Sequence, residues 1–205
     1  MIELELLRAT PLATDPFDHV IVPGFVRQET CAALAADFPA IDRPGSFPLS
    51  ELSYGPAFRA LVEALQGPAM TATMAEKFSL ALGEHPTMVT VRGRTQAKDG
   101  RIHTDSRSKL LTVLLYLNDS WDSPDGRLRL LRNADSLAVP AVEIPPDAGT
   151  LLAFRNGPES WHGHTSFAGQ RRAIQLNWVT DQAVVRREQF RHTVSARIKR
   201  LNPFA

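Results

Sequence analysis

Cysteine is nearly absent from this sequence: among 205 residues, only Cys31 carries a thiol. One thiol excludes an internal disulfide and any cysteine-based zinc cluster. Its setting, TCAALAADF, reads as helix, so a packed thiol is expected rather than a nucleophile. Net charge is scarce as well, at +1, which leaves no global field to gather nucleic acid or an anionic membrane. No apolar run approaches the roughly 18 residues that cross a bilayer. The opening MIELELLRAT lacks the basic start and apolar block of a signal peptide. Internal repeats and low-complexity segments are missing too. These absences leave an expectation of a cytoplasmic, single-domain protein without membrane insertion or a nucleic-acid partner.

What is present is a globular composition, 43% apolar and 22% charged, whose texture changes near Pro86. Before it, HVIVPGF at 19–25 reads as a strand, and the remainder of 1–87 reads as mostly helical. Arg27 to Asp37 is alanine-rich and stops before Pro39; Phe58 to Leu65 and Thr71 to Leu82 follow, with Gly67–Pro68 between them and Gly83 as a stop. After Pro86, strand-like runs at 88–95, 109–118, 126–131, 149–155 and 171–179 alternate with turn clusters such as NDSWDSPDG and IPPDAG. Repeated short strands predict a sandwich or barrel rather than βα units. The tail, 180–205, reads as helical, with a basic helix from about Ala183 to Arg200 whose arginines form a solvated face.

One short motif carries chemistry. In GRIHTDSRSK, His103 and Asp105 stand two apart, so in extended chain both point to the same side. An imidazole and a carboxylate suit a divalent first-row metal. A second histidine would complete the facial arrangement of non-haem Fe(II) oxygenases. His162 and His164, in ESWHGHTSFAGQRR, are the candidates for it. Arg171 opens the next strand and has the geometry to pair bidentately with a carboxylate. Alternation puts Arg171, Ala173, Gln175 and Asn177 on a polar face, with Arg172, Ile174, Leu176 and Trp178 opposite. In KLLTVLLYLN it puts Thr112, Leu114, Tyr116 and Asn118 together, with Leu111, Val113, Leu115 and Leu117 opposite. Apolar density on both faces marks a buried central strand, and a buried Tyr116 needs a partner for its hydroxyl.

The series H-x-D, LLTVLLYLNDSW, DGRLRLL, IPPDAGTLLAF and WHGHTSFAGQRRAIQLNW resembles the Fe(II)/2-oxoglutarate-dependent oxygenases, with the closest likeness to their prolyl-hydroxylase-like branch. The likeness spans about 88–179, and PFDHVIVPGFV resembles the family's N-terminal opening. It implies a mainly β fold with flanking helices: a double-stranded β-helix, or jelly roll, with N-terminal helices packed on one sheet. It further implies that His103, Asp105 and His162 hold Fe(II), and that Arg171, assisted by Tyr116, binds the distal carboxylate of 2-oxoglutarate. Thr112 and Asn177 join these as expected cosubstrate contacts. The family's arginine follows its distal histidine by about nine or ten residues, which selects His162 over His164: Arg171 lies nine beyond the first and seven beyond the second.

The implied reaction consumes 2-oxoglutarate and dioxygen, releases succinate and CO2, and hydroxylates a C–H bond of a substrate the sequence does not name. Protein side chains, small metabolites and glycan precursors are all open, and oligomeric state is not encoded in any motif. Two other readings stand beside this one. A metal-binding cupin or zinc hydrolase would use His103, His162 and His164, with Asp105 behind them. A non-catalytic jelly-roll binding module would use none of them.

Overall fold

The computed structural model describes residues 1–187 with Phe190 and Arg191. In chain order its elements are α1 (Leu4–Ala9), β1 (His19–Val22), α2 (Gln28–Asp37), β2 (Phe47–Pro48), α3 (Pro56–Gln66), α4 (Pro68–Phe78), β3 (Thr87–Thr95), β4 (Lys109–Tyr116), β5 (Leu128–Leu130), β6 (Val142–Ile144), β7 (Leu151–Arg155), β8 (His162–His164) and β9 (Gly169–Val179). A short helix follows from Gln182. The expected basic helix is thus present as far as Arg187; residues 188–189 and 192–205 lie outside the described residues.

Two antiparallel sheets form the core. The major sheet runs β1-β7-β4-β9-β3-β2, and the minor sheet runs β6-β5-β8. The arrangement is a double-stranded β-helix, as expected. In β4 and β9 the two-residue period separates two environments. Leu111, Val113 and Leu115 of β4, with Ile174, Leu176 and Trp178 of β9, join Leu7, Leu34, Phe58, Leu61 and Met74 in one apolar cluster under the helices. The opposite faces of both strands look across to the minor sheet. β4 is therefore buried on both sides, and the burial explains its continuous run of apolar residues.

The helices are cut where the sequence dictates. Pro56 and Pro68 each occupy a first-turn position, where the missing N–H costs nothing. α3 buries Phe58, Leu61, Val62 and Leu65, spaced to make one apolar stripe. The expected stop at Gly83 is displaced: α4 ends at Phe78, and Ser79 takes the left-handed conformation with φ 51°. β2, β6 and β8 have no counterpart in the sequence reading. Each is three residues or shorter, too brief for a period to register.

Leu115 is fully buried on the central strand, between the helices and β9. Leu115→Ala is expected to cost about 2–5 kcal/mol, read as a lowered midpoint in urea unfolding. A change below 1 kcal/mol would contradict this packing.

Candidate active site

The HTD loop and the HGH segment are joined through their backbones. His103 N–H donates to His162 O, and His162 N–H donates to His103 O, each at 3.0 Å. One step along, His164 N–H donates to Gly100 O at 2.9 Å. Two glycines permit this approach. Gly100 has φ +89°, and a Cβ on it would stand 2.4 Å from His164 O; a Cβ on Gly163 would stand 2.7 Å from Gly100 O. The pairing places the rings of His103 and His162 with centroids 4.4 Å apart.

His103, Asp105 and His162 each offer a ligand atom, all within 4.8 Å of one another, and they are the cluster with metal-ligand geometry among the described residues. The Nδ1 of His103 lies 2.8 Å from Arg101 O, and that of His162 lies 2.9 Å from Ser160 O. A proton on Nδ1 shared with a carbonyl leaves the Nε2 lone pair for an ion. Asp105 is held from both sides: Lys109 Nζ donates to Oδ1 at 2.8 Å, and the Thr112 hydroxyl donates to Oδ2 at 2.6 Å. Burial alone would raise the Asp105 carboxyl; the Lys109 charge, the neighbouring His162 ring and both hydrogen bonds overcome it and hold the group below the usual carboxylate range.

Thr112 is the hub behind the aspartate. Its hydroxyl also accepts from Asn156 Nδ2 at 2.9 Å and from Asn177 Nδ2 at 2.8 Å, which fills its one donor and two acceptor sites. Gln175 Nε2 in turn reaches Asn177 Oδ1 at 3.2 Å. Thr112 and Asn177, expected as cosubstrate contacts, both line the cavity; the Thr112 hydroxyl donates to Asp105, and Asn177 Nδ2 donates to Thr112.

From this group a cavity of roughly 580 Å³ runs between the sheets to Arg171. Arg171 is 5% exposed. Its Nε donates to Gly126 O at 2.8 Å, and its guanidinium lies 5.2 Å from the Tyr116 ring centroid. One terminal nitrogen of Arg171 and the Tyr116 hydroxyl are buried without a hydrogen-bond partner, so this inner end is short of an oxygen acceptor. Burial raises the Tyr116 hydroxyl and the adjacent Arg171 charge opposes it, so the phenol stays protonated. His164 also lines the cavity, yet its Nδ1 lies 2.8 Å from Thr165 O and the residue stands outside the metal-ligand cluster. An all-histidine site of His103, His162 and His164 is therefore not assembled.

Several participants escaped the sequence. Gly126 anchors Arg171 through its carbonyl; its φ is +76°, and a Cβ on it would stand 2.8 Å from Trp121 and 3.0 Å from Phe167. Arg92 lines the cavity, hydrogen-bonded to Asp99 at 3.4 Å and Ser46 at 3.1 Å. Asn156 sits in a turn with no motif. Arg187 and Arg191, assigned to a solvated face, line the cavity as well.

Residues 92–180 match the 2OG-Fe(II) oxygenase superfamily. The chain carries a 2OG-Fe(II) oxygenase domain. Fe(II) is its cofactor and 2-oxoglutarate its cosubstrate, and the donor set suits both: two imidazoles and a carboxylate at one end, a buried guanidinium short of an acceptor at the other. Solved oxygenase structures share the fold at low identity. A Pseudomonas putida prolyl-4-hydroxylase is 18% identical over 87% of this chain and 97% of its own, with a TM-score of 0.57. A viral collagen prolyl hydroxylase from Paramecium Bursaria Chlorella virus-1 is 14% identical over 82% and 99%, also at 0.57. HygX from Streptomyces hygroscopicus, with nickel and 2-oxoglutarate bound, is 13% identical over 80% and 82%, at 0.55. No curated protein matches the chain. Among the described residues, no helix is long and apolar enough to cross a membrane.

Two predictions follow from the oxygenase domain's inner packing. Thr112→Val keeps the shape but strips Asp105 of a donor and leaves two amides unsatisfied. Metal affinity should fall about 10–100-fold in a Mn(II) titration; an unchanged affinity would remove Thr112 from the site. The second concerns pH. Burial, then His103, pushes His162 down to about 4; burial, then Arg171, pushes His164 down to about 4. Both rings stay neutral when folded, while unfolded chains bind protons near pH 6.5. The metal-free protein is therefore expected to lose stability as pH falls from about 6.5 toward 4, seen as a falling urea midpoint. A flat midpoint across that range would show that the rings are not desolvated.

Proposed function

We propose that the chain is an Fe(II)- and 2-oxoglutarate-dependent hydroxylase, working as one catalytic domain in which 1–87 braces the core 88–179. His103, Asp105 and His162 are the iron ligands in this reading, and Arg171, with Tyr116 beside it, receives the distal carboxylate of 2-oxoglutarate. The observation that carries it is the convergence of the three ligand side chains at one end of a cavity whose other end holds a buried, under-satisfied arginine.

Bound Fe(II) and 2-oxoglutarate supply, with dioxygen, the oxidising power to hydroxylate a C–H bond, with succinate and CO2 as coproducts. The chain's own residues bind and orient. The carbonyls of Arg101 and Ser160 fix the imidazole tautomers. Thr112 and Asn177 hold the Asp105 carboxylate in place from the sheet, while Lys109 holds it from the loop side. Leu114, Leu128 and Ala173 give the cavity lining its apolar surface. Arg171 is fixed by the Gly126 carbonyl before any ligand arrives, so little ordering is left to do on binding. The substrate is a protein side chain, such as the prolyl residues in the names of the structural neighbours, or a small metabolite or glycan precursor. A cytoplasmic location belongs to the same reading.

Anaerobic addition of Fe(II) and 2-oxoglutarate should produce a weak visible charge-transfer band, and Asp105→Ala should abolish it. Well-folded, metal-loaded protein without the band would refute the oxygenase reading. Arg171→Ala should raise the 2-oxoglutarate requirement about 10–100-fold with Fe(II) binding intact, as expected for a lost charge-assisted pair. Collapse of Fe(II) affinity in that variant would overturn the role assigned to Arg171.

A further inference from the structure

Arg171 belongs to the major sheet and His162 to the minor one, so the span between them is a span between sheets. An arginine side chain is long, and its rotamer freedom alone would leave that span loose. The bond from Arg171 Nε to Gly126 O, at 2.8 Å, ties the guanidinium to the minor sheet. Gly126 stands just ahead of β5, and β5 pairs with the strand that carries His162: Leu128 is the register partner of His164, and Leu130 that of His162.

The peptide ahead of that carbonyl is gripped on both sides. The Trp121 indole N–H donates to Asp125 O at 2.9 Å, and Gly126 N–H donates to the Thr165 hydroxyl at 3.1 Å. Asp125 O and Gly126 N belong to one planar peptide unit, so the two bonds fix its plane. Trp121 is itself tethered, its backbone N–H donating to Asp147 Oδ1 at 2.8 Å. Its ring meets Phe167, centroids 4.7 Å apart, and the two close the face of Gly126 where a Cβ would have no room. Thr165 directly follows β8, so the turn 121–126 is clamped to the end of the strand that begins at His162. Among the described residues, Trp121, Phe167 and Thr165 lie outside the buried apolar clusters, so core packing does not account for the arrangement. What it fixes is reach: with the guanidinium unable to shift, a diacid held at the metal must have the right length to meet it.

We infer that Trp121 and Thr165 are positioning residues: through the Gly126 carbonyl they hold Arg171 at one distance from the metal ligands, and so set the length of dicarboxylate that the site accepts. The inference rests on the oxygenase reading above and deepens it, assigning cosubstrate selectivity to two side chains that do not line the cavity.

The test uses the whole chain loaded with Mn(II) under nitrogen, titrated calorimetrically with 2-oxoglutarate and with its shorter and longer homologues, oxaloacetate and 2-oxoadipate. The unsubstituted chain should bind 2-oxoglutarate about tenfold or more tightly than either homologue. Trp121→Phe keeps a ring against Gly126 and removes the indole N–H; Thr165→Val keeps the shape and removes the hydroxyl. Each should weaken 2-oxoglutarate binding about three- to tenfold and narrow the preference by the same factor, with Mn(II) affinity unchanged. In an Arg171→Ala background neither substitution should weaken 2-oxoglutarate further, because the group they act through is gone. A merely structural role would lower the melting temperature and leave the ratios among the diacids alone, which would overturn the inference. Equal losses for all the diacids, a loss that persists without Arg171, or an unsubstituted chain with no preference would do the same. Failure of the oxygenase reading is separate: it shows in the unsubstituted chain, as no heat from 2-oxoglutarate with Mn(II) bound.

Discussion

The two reciprocal hydrogen bonds between His103 and His162 are the contact on which the site depends. They join segments 59 residues apart: His103 lies outside the named strands, and His162 is the first residue of β8, where it pairs with Leu130. Without them the HTD loop would be a solvated turn, separate from the buried ring of His162. With them, two imidazoles and a carboxylate meet on one side. The spacing of side chains along extended backbone then decides which residues face the ion and which face away.

Around that contact the polar groups are arranged in a closed chain. Gln175 reaches Asn177, Asn177 and Asn156 reach Thr112, and Thr112 reaches Asp105. Such a chain is strong when complete and costly when broken, because Thr112 and Asn177 at its centre are withdrawn from water. The inner end is built on the opposite principle. Arg171 and Tyr116 are desolvated with bonding capacity unused, the arrangement of a site that completes itself only with a ligand. One end of the cavity is finished by the protein, and the other is left for what binds.

Much of this was legible in the chain because strand alternation carries far. The faces assigned to Arg171, Gln175 and Asn177, and to Leu111, Val113 and Leu115, are those observed, since the central strands sit between a helical layer and a cavity. The helix ends were less legible. Gly83 looked like a stop, whereas Ser79 adopts the left-handed turn, a choice set by packing that no local residue type announces. The role of Thr112 was readable only as a face, because its partners Asp105, Asn156 and Asn177 come from three separate segments. Gly126 gave no signal either: a glycine in a turn is ordinary, and only its positive φ and the nearby Trp121 and Phe167 explain this one. Arg187 and Arg191 were read as solvated because a helix in isolation has no cavity to face.

The order of the major sheet has a kinetic side. β9 is the last strand of the described sequence, yet it lies between β4 and β3 in the middle of the sheet. Until residues 169–179 emerge from the ribosome, β3 and β4 present unpaired edges rich in valine and leucine. Their mutual contact cannot form directly, because both await the same partner. Closure of the fold is therefore a late, long-range event, slow relative to helix formation and open to aggregation while it waits. Arg171 and Asn177 travel on that same strand, so the chain completes its sheet and its binding site in one step.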